Sequence, residues 1–149
     1  MSQTIFERLR ADHDSQRQLF AELEATSGNT AERRSLWKGL KTELVAHAAT
    51  EERIFYSPLL AERSARKEAK HAIHEHAKID DLIAAVDDIE ADNPHWIRRV
   101  QDLHAYVEHH LTEEEHGMFQ LAGRVLSEGK KEEMAITFDA IKPEERARA

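Results

Sequence analysis

The chain has 149 residues, 40% of them hydrophobic, and a formal net charge of −8, which is enough apolar content to close one domain core and leaves no basic stripe for a nucleic acid. It contains no cysteine, so disulfides, iron–sulfur clusters, thiolate zinc sites and cysteine nucleophiles are excluded and any metal must be held by nitrogen and oxygen. Only 5 Gly and 3 Pro stand against abundant Ala, Leu, Glu, Lys and Arg, a helical composition.

Thr4 with Glu7 reads as a capping box, and Ile5, Phe6, Leu9, His13, Gln16, Phe20 and Leu23 then recur at helical spacing until Ser27-Gly28-Asn29. Thr30 caps a second helix whose apolar face collects Leu36, Trp37, Leu40, Leu44, Ile54 and Phe55 before Pro58 bends or ends it. A third segment starts at Ser64 and runs through Ala69, Ala72, Ile79, Leu82, Ile83, Val86 and Ile89 to Asp92-Asn93-Pro94, where Asn93 caps and Pro94 opens a fourth helix. That helix passes Val100, Leu103, Val107, Leu111, Met118, Leu121 and Val125 to about Ser127. Beyond Gly129, the spacing of Met134, Phe138 and Ile141 predicts a short fifth helix, with a frayed charged tail from Pro143. The expected fold class is all-α: an up-down-up-down antiparallel four-helix bundle over residues 1–127, then a short C-terminal fifth helix and charged tail over 128–149. No apolar run nears the ~18 residues of a membrane span and Met1 to Leu9 lacks a signal-like apolar region, so a cytoplasmic protein with no membrane or nucleic-acid partner is expected.

Two stretches organise this chain: His47-Ala48-Ala49-Thr50-Glu51-Glu52 and His110-Leu111-Thr112-Glu113-Glu114-Glu115. They are offset by 63 residues, and the same offset relates Asp12-His13 to Glu75-His76, so the chain is a repeat of two antiparallel helix pairs. A histidine and a carboxylate four residues apart share a helix face. On a wheel of ~100° per residue, His47 and Glu51, like His110 and Glu114, fall inside the apolar stripes of their helices. His13 shares its side with Phe6, Leu9 and Phe20, while His76 lies at a stripe edge and is promoted by the repeat. Surface ion pairing with Arg53 or Lys78 does not account for six residues that obey one repeat and face inward. A core glutamate is costly to ionise unless a cation meets it. Four imidazoles and two carboxylates suit iron or manganese, zinc less well, and disfavour magnesium and calcium. If both carboxylates bridge, each ion receives two nitrogens and two oxygens, with room for a bridging oxygen and an exogenous ligand.

These elements, with Phe55-Tyr56-Ser57-Pro58 and Met118-Phe119 behind the paired motifs, resemble the hemerythrin-like, or HHE cation-binding, family over about residues 5–127. The resemblance implies a four-helix bundle around a non-heme di-iron centre (Fe2+ or Fe3+, with manganese or zinc as substitutes). Its implied metal ligands are His13, His47, Glu51, His76, His110 and Glu114. Members carry or sense oxygen, handle iron, or respond to nitric oxide and peroxide stress. Ala72 stands where oxygen carriers place a further histidine, which implies two similarly open ions and a sensor or redox protein rather than a simple carrier; His71 and His74 lie close by.

Glu43 and Tyr106 are repeat mates, each one turn before a ligand histidine. Tyr106 is expected to donate a hydrogen bond toward a ligand at the centre, or Glu43 to add a carboxylate. Gln16 faces inward beside His13, while His95, His104, His109 and His116 read as surface or margin. A ferritin-like reading through Glu68-x-x-His71 and Glu113-x-x-His116 fails on the wheel, because Glu113 and His116 point away from the apolar stripe. The expected function is reversible binding or sensing of oxygen, nitric oxide or iron, with turnover of peroxide or another oxidant as the alternative and a structural metal in a partner-binding bundle as a third class. The expected partner is a small diatomic ligand or peroxide, on a monomer or small homo-oligomer.

Overall fold

The computed structural model describes residues 2–149, which form helices and connecting turns with no strand among the described residues. Local chemistry starts the helices. Thr4 N–H donates to Glu7 Oε1 at 3.0 Å while Thr4 Oγ1 accepts from Glu7 N–H, the reciprocal box that opens α1 (Ile5–Glu24). Thr30 Oγ1 accepts from Arg33 N–H and opens α2 (Ala31–Glu51). Between them the chain reverses at Gly28, whose φ of 72° suits a residue without Cβ.

α2 does not end at Glu51. It passes through a π-helical turn, Glu52–Tyr56, into α3 (Ser57–Leu60), so that Ser57 N–H reaches back five residues to Glu52. α4 (Arg66–Asp87) follows. α5 (Trp96–Glu113) starts two residues later than the spacing predicts, because Asn93 Oδ1 accepts from His95 N–H and keeps Pro94 in the preceding turn. It too runs into a π-helical turn, Glu114–Met118, and then α6 (Phe119–Val125). The sequence pattern shows neither widened turn; the first begins just after Glu51 and the second at Glu114, the glutamates of the two His-x-x-x-Glu pairs.

The bundle is the expected antiparallel one: α1 packs on α2 and α5, and α4 on α5. Its core falls into two apolar clusters. Ile5, Leu9, Phe55, Leu59, Ala72, Met118 and Phe119 occupy one end; Phe20, Leu23, Leu40, Ile83, Leu103 and Val107 occupy the other. Each fully buried Leu or Phe contributes about 1.5–3 kcal/mol. Between them lies a belt of buried polar residues.

The C-terminal segment corrects an expectation. α7 (Glu128–Arg148) is no short helix with a frayed tail but 21 residues long, with Pro143 inside it. It lies against α1 and α2. Tertiary contacts outweigh the lost proline hydrogen bond: Lys142 Nζ reaches Asp12 and Glu43, each at 2.8 Å, and Arg53 donates to Glu145 at 2.7 Å. Among the described residues no helix is long and apolar enough to cross a membrane.

Candidate metal centre

Helical periodicity carries His13 on α1, His47 and Glu51 on α2, His76 on α4, and His110 with Glu114 at the α5 end into the belt, and all six are buried. His13, His47, Glu51 and Glu114 offer donor atoms within 4.8 Å of one another, as do Glu51, His76 and His110. The two groups share Glu51. Glu114 Oε2 also lies 3.7 Å from His110 Nε2, so both carboxylates stand between the two sets of imidazoles.

The Nε2 atoms face inward. His47 Nε2 is 3.5 Å from Glu51 Oε2 and His76 Nε2 is 3.1 Å from Glu51 Oε1. His13 Nε2 is 3.0 Å from Glu114 Oε1 but is misaligned for a hydrogen bond. Five buried donor atoms have no hydrogen-bond partner among the described residues: Nε2 of His13 and His47, both oxygens of Glu51, and Oε1 of Glu114. Folded proteins seldom leave such groups unpaired. Nitrogen and carboxylate donors gathered without thiolate fit a transition-metal cation.

Every Nδ1 is held from outside. His47 Nδ1–H donates to Asp12 at 2.8 Å and its repeat mate His110 donates to Glu75 at 2.7 Å. His13 donates to Glu115 at 2.7 Å and its mate His76 to Glu52 at 3.0 Å. These braces fix the tautomer that turns the Nε2 lone pair toward a metal. These four carboxylates lie inside the motifs, where helical spacing alone assigns them no role. The signal was present: each adjoins a ligand, and the four obey the 63-residue offset.

Burial and the facing charges set the proton affinities of the metal-free site. Burial would lower His47, but Glu51 and Asp12 outweigh it and raise it to about 10; Glu51 and Glu52 likewise raise His76 to about 9. Burial is the largest influence on Glu51 and opposes its charge, yet His47 and His76 hold it well below the carboxylate range. Burial and the Glu51 charge push Glu114 up to about 8. His110 is pushed down by burial, with His76 adding to the effect.

Several expected residues stand elsewhere. Tyr106 is half-buried on α5 and makes no side-chain hydrogen bond among the described residues. The tyrosine at the centre is Tyr56, fully buried in the first π turn, whose hydroxyl donates to Glu114; a buried phenol five residues after Glu51 was its signal. Glu43 adds nothing to the two central groups: its carboxylate accepts from Lys142, from Arg146 at 3.2 Å and from Gln16 at 3.2 Å. Gln16 therefore holds Glu43, not a histidine. His74 and His116 are exposed, and His71 lies outside the centre on its own carboxylates.

The two sides are not similarly open. A cavity of about 720 Å³ reaches Tyr56, Ala72, His110 and Glu114. Leu9, the repeat mate of Ala72, is fully buried on the other side, and α7 covers that side with Phe138 6.0 Å from the His47 ring. A second hollow of about 310 Å³ beside Arg8, Lys142 and Arg146 is lined by none of the six.

Comparison with known proteins accords with this geometry. The family model described as the hemerythrin HHE cation-binding domain matches residues 4–122. A solved structure, a hemerythrin HHE cation-binding domain-containing protein from Mycobacterium kansasii, superposes with a TM-score of 0.89 at 22% identity, covering 98% of this chain and 89% of that one. That likeness shows a shared fold, α7 included. No curated protein matches the chain.

Proposed function

This chain belongs to the hemerythrin HHE cation-binding domain family, and on that premise we propose that its buried belt holds two iron ions and binds or senses oxygen, nitric oxide or peroxide. His13 and His47 would hold one ion and His76 and His110 the other, with Glu51 and Glu114 available to both. The observation that carries this reading is the two buried donor groups that share Glu51, with five atoms of His13, His47, Glu51 and Glu114 left without a hydrogen-bond partner. Bound iron would supply ferrous–ferric redox chemistry and an open coordination position for a small ligand.

The protein's own contribution is access and proton placement. The cavity beside Ala72 directs an incoming molecule to the His76 and His110 side, while Leu9 and α7 exclude water from the other. Peroxide turnover is the second reading, and Tyr56 favours it. Its hydroxyl, hydrogen-bonded to Glu114 at the cavity floor, holds a proton next to the arriving ligand.

Elemental analysis of the purified protein is expected to show about two irons per chain, abolished by His47→Ala with His110→Ala; full loading of that double variant overturns the assignment. Air admitted after anaerobic iron loading, followed by peroxide, separates the two readings. An oxygen adduct reversed by sparging supports the binder, and irreversible oxidation with peroxide loss supports the enzyme.

A further inference from the structure

The cavity lining carries a second set of nitrogen and oxygen donors, on His71, Glu75 and Glu113, with His109 beside them. His71 and Glu75 stand four residues apart on α4, and His109 and Glu113 four apart on α5, repeating on the outside the His-x-x-x-Glu spacing used inside. Because α4 and α5 are packed antiparallel, the pairs face each other across the interface. His71 Nε2 lies 3.3 Å from Glu75 Oε2 and 3.6 Å from Glu113 Oε2. His109 Nε2 lies 3.1 Å from Glu113 Oε1 and 4.0 Å from Glu75 Oε2. A tetrahedral ion with bonds of ~2.0–2.1 Å spaces its ligands roughly 3.3–3.4 Å apart, and donor atoms of His71, Glu75 and Glu113 all lie within 4.8 Å of one another.

Glu75 sets this group apart from an ordinary surface ion pair. Its side chain is 5% exposed, and while Oε1 accepts from His110 Nδ1, Oε2 meets only His71 and His109 among the described residues. A buried carboxylate oxygen aimed outward at two exposed imidazoles is a donor arrangement, and neither imidazole is needed for packing.

We propose that His71, Glu75 and Glu113, with His109 beside them, form a third site, in the cavity lining, for a divalent transition ion of the Zn2+ or Fe2+ class. Two imidazoles select against Mg2+ and Ca2+. The site stands on its own donors; its link to the centre rests on the di-iron reading. Through that link, an ion on Oε2 draws electron density from the carboxylate that braces His110, so occupancy of this site weakens the hold of His110 on the inner ion.

The test is equilibrium dialysis of the full chain against Zn2+, with elemental analysis of wild type, His71→Ala/His109→Ala and Glu113→Gln. Wild type is expected to hold one equivalent more than the double variant, with unchanged helical circular dichroism, and Glu113→Gln to bind that equivalent about tenfold more weakly. Equal stoichiometry in wild type and the double variant overturns the proposal, as does an extra equivalent insensitive to Glu113. The failure of the di-iron reading is distinguishable: wild type would then hold fewer ions in total, but the one-equivalent difference would persist, and it would also survive in His13→Ala/His47→Ala.

Discussion

Lys142→Met probes the docking of α7 on the bundle. Lys142 is 6% exposed, and its Nζ stands 2.8 Å from both Asp12 Oδ2 and Glu43 Oε1. Removing it leaves two buried carboxylates facing each other. Breaking a buried pair by deleting one partner costs about 3–5 kcal/mol. Asp12 keeps Arg8 and His47 Nδ1, and Glu43 keeps Arg146 and Gln16, so the low end, about 3 kcal/mol, applies. For a chain of this length about 1 kcal/mol moves Tm by roughly 2–4 °C, which gives a fall of about 6–12 °C. Thermal unfolding followed by circular dichroism measures it, and Lys142→Met/Glu43→Gln is expected to recover part of the loss, because the pair is coupled. Metal content should be retained, since the Asp12–His47 hydrogen bond remains. A fall below about 2 °C, or no recovery in the double variant, would refute the view that these charges hold α7 in place.

Glu52→Gln or Glu115→Gln removes the charge behind His76 or His13 and is expected to cost about 10–100-fold in metal affinity; chelator competition measures this, and unchanged affinity would count against the braces. In the metal-free protein, Glu114 raised to about 8 keeps a proton that the unfolded chain loses above 4.5, so its stabilisation fades as pH climbs through 8. His47 and His76, raised from 6.5 to about 10 and 9, lose theirs over higher pH in the same direction. Metal-free Tm should therefore fall between about pH 6 and pH 9, and Glu114→Gln should flatten the slope; a rising Tm would contradict the assignment. Ala72→Leu, which copies Leu9 onto the open side, is expected to leave metal content intact and slow the reaction with added peroxide by about tenfold or more; an unchanged stopped-flow rate would mean that ligands enter elsewhere.

The parts legible in the sequence were those written at short range. Thr4 with Glu7, Thr30 and the apolar spacing of four helices announce themselves within a few residues, and one offset linked His13, His47, Glu51, His76, His110 and Glu114. The π turns left no such trace, because an i→i−5 hydrogen bond has no side-chain period of its own. Tyr56 went unread with them: projected on a regular helix it does not reach Glu114. Pro143 and the charges after it read as a tail because composition reports what a helix would cost alone, while Asp12 and Glu43, which hold Lys142, lie 130 and 99 residues away. Tyr106 stands out by repeat position with Glu43, but packing leaves it half-buried and brings Tyr56 to Glu114.

The 63-residue offset bears on ancestry. Each helix pair already carries two imidazoles and one inward carboxylate, half of the central set, so one hairpin associating with a second copy of itself about a twofold axis would assemble the whole belt. Such a dimer could never treat its two faces differently, since every substitution would appear twice. Joining two copies in one chain would lift that restriction, and Leu9 opposite Ala72, Phe119 opposite Tyr56 and Glu43 opposite Tyr106 are differences that only a single chain can carry. Only within one chain could Ala72 line a cavity while its counterpart Leu9 is sealed in the core.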